Sequence, residues 1–66
     1  MKHSIGHSLR ILRLKKNLTQ LQVAQSIGIS EKSISRYEND KTTPKEELLN
    51  MFAESYEVPV SKIRVV

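Results

Sequence analysis

The chain has 66 residues and a mass of 7.6 kDa, with eleven Lys and Arg against seven Asp and Glu. Hydrophobic residues make up 38% of it, and a core that small supplies only about 3–5 kcal/mol, which excludes a second domain and a deeply buried active site. It has no cysteine, hence no disulfide framework and no thiolate metal site, and no apolar run approaches the ~20 residues of a membrane span. A single, soluble, cytoplasmic domain over residues 1–66, without membrane association, is expected.

Apolar residues recur at helical spacing, and β-branched alternation is absent until the last few positions. Ser4 reads as an N-cap, and Ile5, Leu9, Leu12 and the aliphatic stem of Lys16 share one face of a first helix. Asn17, which tolerates the left-handed conformation, stops it. Thr19 then caps a second, short helix lined by Leu21, Val23, Ala24 and Ile27, and Gly28 ends it. Ser30 caps a third helix from Glu31 to about Asn39, with Ile34 and Tyr37 inward. Thr43 as N-cap and Pro44 at the first helical position predict a fourth helix from Lys45 to about Ser55, burying Leu48, Leu49, Met51 and Phe52. Pro59 opens a short fifth helix carrying Val60 and Ile63. The fold class is therefore all-α, a compact bundle of four to five short helices.

Residues 20–38 hold the informative spacing. Two helices are joined by a tight turn at Gly28, with small Ala24 four residues earlier where the axes cross, and Val23, Ile29, Ile34 and Tyr37 supply the apolar contacts. This is the spacing of a helix-turn-helix. Positive charge is concentrated around it: residues 1–41 carry eight basic against three acidic residues, whereas residues 42–66 carry three against four. Such a skew suits an anionic partner.

The segments Leu9-Arg10-Ile11-Leu12-Arg13, Leu18-Thr19-Gln20, Val23-Ala24, Gly28-Ile29-Ser30 and Ser33-Ile34-Ser35-Arg36-Tyr37-Glu38-Asn39, followed by Lys41 and Pro44, resemble the phage repressor and Cro helix-turn-helix proteins, the Xre-like family. The resemblance spans roughly residues 5 to 63. It implies a lambda repressor-like domain that binds double-stranded operator DNA as a homodimer, most simply as a transcriptional repressor, with helix 31–39 in the major groove. It also implies a partly buried structural salt bridge between Arg13 and Glu38. Two stretches depart from the family pattern. Asp40 stands where many members have Gly, placing a negative charge beside a loop expected near phosphate, and Tyr56-Glu57-Val58-Pro59-Val60-Ser61 replaces a common Gly-Val-Ser.

On a helical wheel Glu31, Lys32, Ser35 and Arg36 lie opposite Ile34 and Tyr37 and would face a groove. Arg36 and Lys32 can donate to guanine N7 and O6, Glu31 can accept from cytosine N4, and Ser35 lets the helix approach closely. A second role is open to Glu31, complementing the helix N-terminus and pairing with Lys32 or Ser35. Gln20, Ser30, Ser33, Asn39, Lys41 and Thr42 are the candidate contacts to the DNA backbone. Ile11 and Leu14 lie opposite the Leu9/Leu12 face: either scattered surface hydrophobes, or a patch that covers Ile63, Val65 and Val66 or a partner subunit. An antitoxin-like or protein-interaction module, binding a protein partner as well as DNA, is the alternative reading. No catalytic constellation is visible. His3 and His7 have helical metal-ligand spacing, but no third ligand stands near them, so no enzyme activity, metal, cofactor or small-molecule ligand is expected.

Overall fold

The computed structural model describes residues 4–64, within which the chain forms α1 (Ile5–Lys15), α2 (Gln20–Ile27), α3 (Glu31–Glu38), α4 (Glu46–Tyr56) and α5 (Val60–Arg64), with no strand. Three helix starts are set by side chains that take up free amides. Ser4 Oγ accepts from His7 N at 3.0 Å, and Ser30 Oγ accepts from Ser33 N at 3.1 Å. Thr19 and Gln22 cap each other reciprocally, the Thr19 hydroxyl accepting from Gln22 N and the Gln22 carbonyl from Thr19 N.

The fourth start differs from expectation. Thr43 does not cap, and Pro44 is not the first helical residue: Lys45 is the N-cap, without a side-chain hydrogen bond, and α4 begins at Glu46. Pro44 is buried two residues before the helix, so packing sets its place, while Glu46 and Glu47 in the first turn complement the helix N-terminus.

Helices α1 to α4 each stop on a left-handed residue: Asn17 (φ 58), Gly28 (φ 89), Asp40 (φ 58) and Glu57 (φ 59). In each, the amide one residue further on bonds a carbonyl five residues back. Leu18 bonds Arg13, Ile29 bonds Ala24, Lys41 bonds Arg36 and Val58 bonds Ala53, at 2.9–3.1 Å. These are Schellman closures, and they turn the chain sharply with few connecting residues.

The core draws Leu9 from α1, Val23, Ala24 and Ile27 from α2, Ile34 from α3, Leu49, Phe52, Ala53 and Tyr56 from α4, and Ile63 from α5. Tyr56, in the stretch that departs from the family pattern, is wholly buried and packs on Phe52 at a ring-centroid distance of 6.0 Å. Several inward assignments are corrected. Leu21 and Met51 are exposed at 48% and 45% and lie outside the core cluster. Lys16 does not line the inner face; it is the C-cap of α1, and its Nζ pairs with Glu57 at 2.8 Å on the surface. Ile63 is fully buried and so is not part of an outward surface with Ile11 and Leu14. Val65, Val66 and His3 lie outside the described residues.

Gly6 shows why α1 and α3 can pack so closely. A methyl group there would collide with the carbonyl of Tyr37, lie 2.6 Å from Asp40 Oδ1 and 2.8 Å from the Glu38 carbonyl. Only a residue without Cβ admits the end of α3 against the first turn of α1.

Candidate nucleic-acid interface

The turn between α2 and α3 is short because Gly28 does two things at once. Its left-handed φ closes α2, and its amide donates to Ala24 O at 2.8 Å, so Ser30 can begin the next helix two residues later. Nothing lies within 4 Å of a Cβ built on Gly28, so backbone conformation and not space demands glycine there.

α3 then presents two faces. Ile34 is fully buried, and Tyr37 is half-buried and meets Phe52 edge-on with ring centroids 6.1 Å apart. Opposite them Glu31, Lys32 and Arg36 are exposed and Ser35 is half-buried. Ser35 is also engaged: Asn39 Nδ2 donates to its carbonyl at 2.8 Å and to its hydroxyl at 3.3 Å. Asn39 therefore holds the last turn of the helix. Ser30 and Ser33 hydroxyls lie 2.9 Å apart at its first turn. Lys41 and Thr42 are exposed in the loop that follows.

A buried polar network ties this unit to α1. Arg13 Nε donates to Glu38 Oε2 at 2.6 Å and Nη2 to Oε1 at 3.1 Å, while Nη1 donates to the Leu18 carbonyl at 2.9 Å. Both residues are buried, and the bond to Glu38 holds the Arg13 guanidinium more firmly protonated than usual. Gln20 Nε2 donates to the same Glu38 Oε1 at 3.0 Å, an interaction with no local sign in the sequence. Its side-chain amide is thus committed inward. The amides of Gln20 and Leu21, the first two of α2, have no acceptor within the helix and point out from its N-terminus.

Asp40 does not face the loop beyond α3. Its carboxylate turns back onto the start of α1, accepting from Ser4 Oγ at 2.5 Å and from Gly6 N at 3.1 Å. Sequence reading misses this because the contacts are 34 to 36 residues away. Glycine at position 6, inside a helical pattern, is the one local sign of a close approach. Ile11 and Leu14 are 37% and 50% exposed on the outer side of α1.

The family model described as helix-turn-helix matches residues 9–63. The chain is 39% identical over 54 residues to antitoxin PezA of Streptococcus pneumoniae, across 82% of this chain and 34% of that protein. It is 33% identical over 55 residues to the cryptic phage CTXphi transcriptional repressor RstR of Vibrio cholerae, across 83% of this chain and 50% of that one. The chain thus spans between a third and a half of the length of these curated relatives. Among solved structures, the DNA-binding domain of the P22 c2 repressor in solution superposes with a TM-score of 0.91 at 22% identity, over 97% of this chain and 84% of that one. The P22 c2 repressor in complex with a synthetic operator gives 0.86 at 23% identity, over 92% of each. At these identities the shared property is the fold.

Proposed function

The chain belongs to the helix-turn-helix family of Xre-like repressors, and on that premise we propose that it is a sequence-specific regulator of transcription, a repressor that binds a palindromic operator as a homodimer. The observation that carries this reading is α3 itself: a capped helix, buried along Ile34, that offers Glu31, Lys32 and Arg36 to solvent on its opposite face. In the major groove Arg36 and Lys32 donate to guanine, Glu31 accepts from cytosine N4, and Ser35 makes room. The DNA backbone is met by the free amides at the start of α2 around Gln20, by Ser30 and Ser33, and by Asn39, Lys41 and Thr42. Arg13 and Glu38 are architecture; removing one would strand the other's charge at a cost of about 3–5 kcal/mol.

One recognition helix reads few base pairs, so two copies on half-sites about 34 Å apart supply the remaining specificity. The described residues extend 30 × 24 × 22 Å, so one copy fits on each half-site at that spacing. Selection of bound duplexes from a random pool tests the reading. A palindromic consensus with half-sites about one turn apart is expected; binding without sequence preference overturns it.

The likeness to an antitoxin supports a second reading, in which the exposed Ile11 and Leu14 also receive a protein partner or second subunit. Sedimentation of the Ile11→Glu, Leu14→Glu double variant separates the possibilities. Unchanged association with unchanged stability removes that patch from any interface.

A further inference from the structure

Asp40 combines two features that each work against it. It sits in the left-handed region at φ 58, where a side chain is strained, and it places a negative charge directly before Lys41 and Thr42, in the segment proposed to meet phosphate. A residue that served only to end the helix would be better as glycine, and one that served only DNA affinity would not be acidic. What Asp40 alone among such residues supplies is a carboxylate with both oxygens engaged at the start of α1, by Ser4 Oγ at 2.5 Å and Gly6 N at 3.1 Å. The missing side chain of Gly6 leaves the space in which this contact forms. Asp40 N is in turn bonded to Tyr37 O at 3.2 Å, and Lys41 N to Arg36 O at 2.9 Å. The carboxylate therefore pins the stretch that carries Arg36 on one side and Lys41 on the other.

We propose that Asp40 is a positioning residue for DNA binding: held by Ser4 and Gly6, it fixes the C-terminal end of α3 and the Lys41–Thr42 loop against α1, so that base-reading and phosphate-contacting groups share one register. The proposal rests on the DNA-binding reading above. The core is not involved, because Ile34 and Tyr37 anchor α3 independently of this contact. Charge and position make opposite predictions here. Removing a negative charge near phosphates strengthens binding to any duplex, whereas loosening the register weakens binding to the preferred sequence alone.

The test uses a duplex selected by the wild-type chain from a random pool and an unrelated duplex of equal length, with Asp40→Gly and Asp40→Asn. Glycine removes the carboxylate and relieves the left-handed strain; asparagine keeps one oxygen for Gly6 N and also tolerates that conformation. D40G is expected to bind the selected duplex about fivefold more weakly, the loss of one net hydrogen bond's worth, while binding the unrelated duplex as well as or better than wild type. D40N should fall between them. Circular dichroism shows that each variant is folded, and D40N carries the comparison if D40G is not. If both variants bind the selected duplex as tightly as wild type or more tightly, Asp40 does not position the helix and the proposal fails. A wild-type chain that selects no duplex overturns the DNA-binding reading and this proposal together.

Discussion

Tyr56 carries its hydroxyl into the core, where it has no hydrogen-bond partner among the described residues. Burial, and after it the charge of Glu38, pushes its ionisation well above the ordinary value of 10.0. The neutral form is therefore the one the fold holds. Because the folded pKa is raised, the contribution is complete below pH 10.0 and is lost progressively as pH rises above it. Tyr56→Phe removes an unsatisfied polar atom while keeping the ring that packs on Phe52. It should raise stability by about 1 kcal/mol at neutral pH and flatten the decline above pH 10, both read from urea unfolding across pH. On the face of α3 proposed to read bases, Arg36→Ala should cost about 1–3 kcal/mol of binding and relax preference at one base-pair position. Repeating the duplex selection with the variant shows whether the preference is lost at that position only.

Among the helices, starts were more legible than faces. Ser4, Thr19 and Ser30 are short polar residues whose oxygens reach a nearby amide, so their role is written within four residues of sequence. Pro44 misled because proline suits the first helical position, whereas here it stands one residue before the N-cap Lys45 and is buried there. Leu21 and Met51 carry the correct helical period, yet period names a face without saying where along it a neighbour stands. The burial of Tyr56 was missed, because the fourth helix was expected to stop at about Ser55, although Tyr56 follows Phe52 by one helical turn; Asp40 gave no such local sign, since its partners belong to another helix. The exposed face of α3 followed from periodicity; the inward commitment of Gln20 needed the structure. The two glycines separate space from conformation. Gly6→Ala forces a methyl into the backbone of α3 and should cost about 3 kcal/mol. Gly28→Ala meets no neighbour and should cost only the left-handed strain, about 1–2 kcal/mol. Denaturant midpoints of the two variants check the order.

For the molecule as a whole, the count of eleven Lys and Arg overstates the cations free to meet an anionic partner. Arg13, Lys16 and Arg64 are paired with Glu38, Glu57 and Glu46. The exposed cations on α3 and in the loop that leads from it to α4 are Lys32, Arg36, Lys41 and Lys45, so salt dependence should be modest for a DNA-binding protein. Lys41→Ala should weaken binding to selected and unrelated duplexes alike, and reduce the slope of log affinity against log salt by about one per protomer. A salt titration of both proteins measures it. The left-handed helix ends bear on how the chain finds this shape. Each reversal is closed by a bond reaching only five residues back, so the changes of direction that set α2 against α3 are encoded before any remote contact exists. Chains built from such local closures have low contact order and cross their folding barrier quickly. Temperature-jump refolding should be a single exponential phase completed within milliseconds, and the reading helix would be in place almost as soon as its neighbours are.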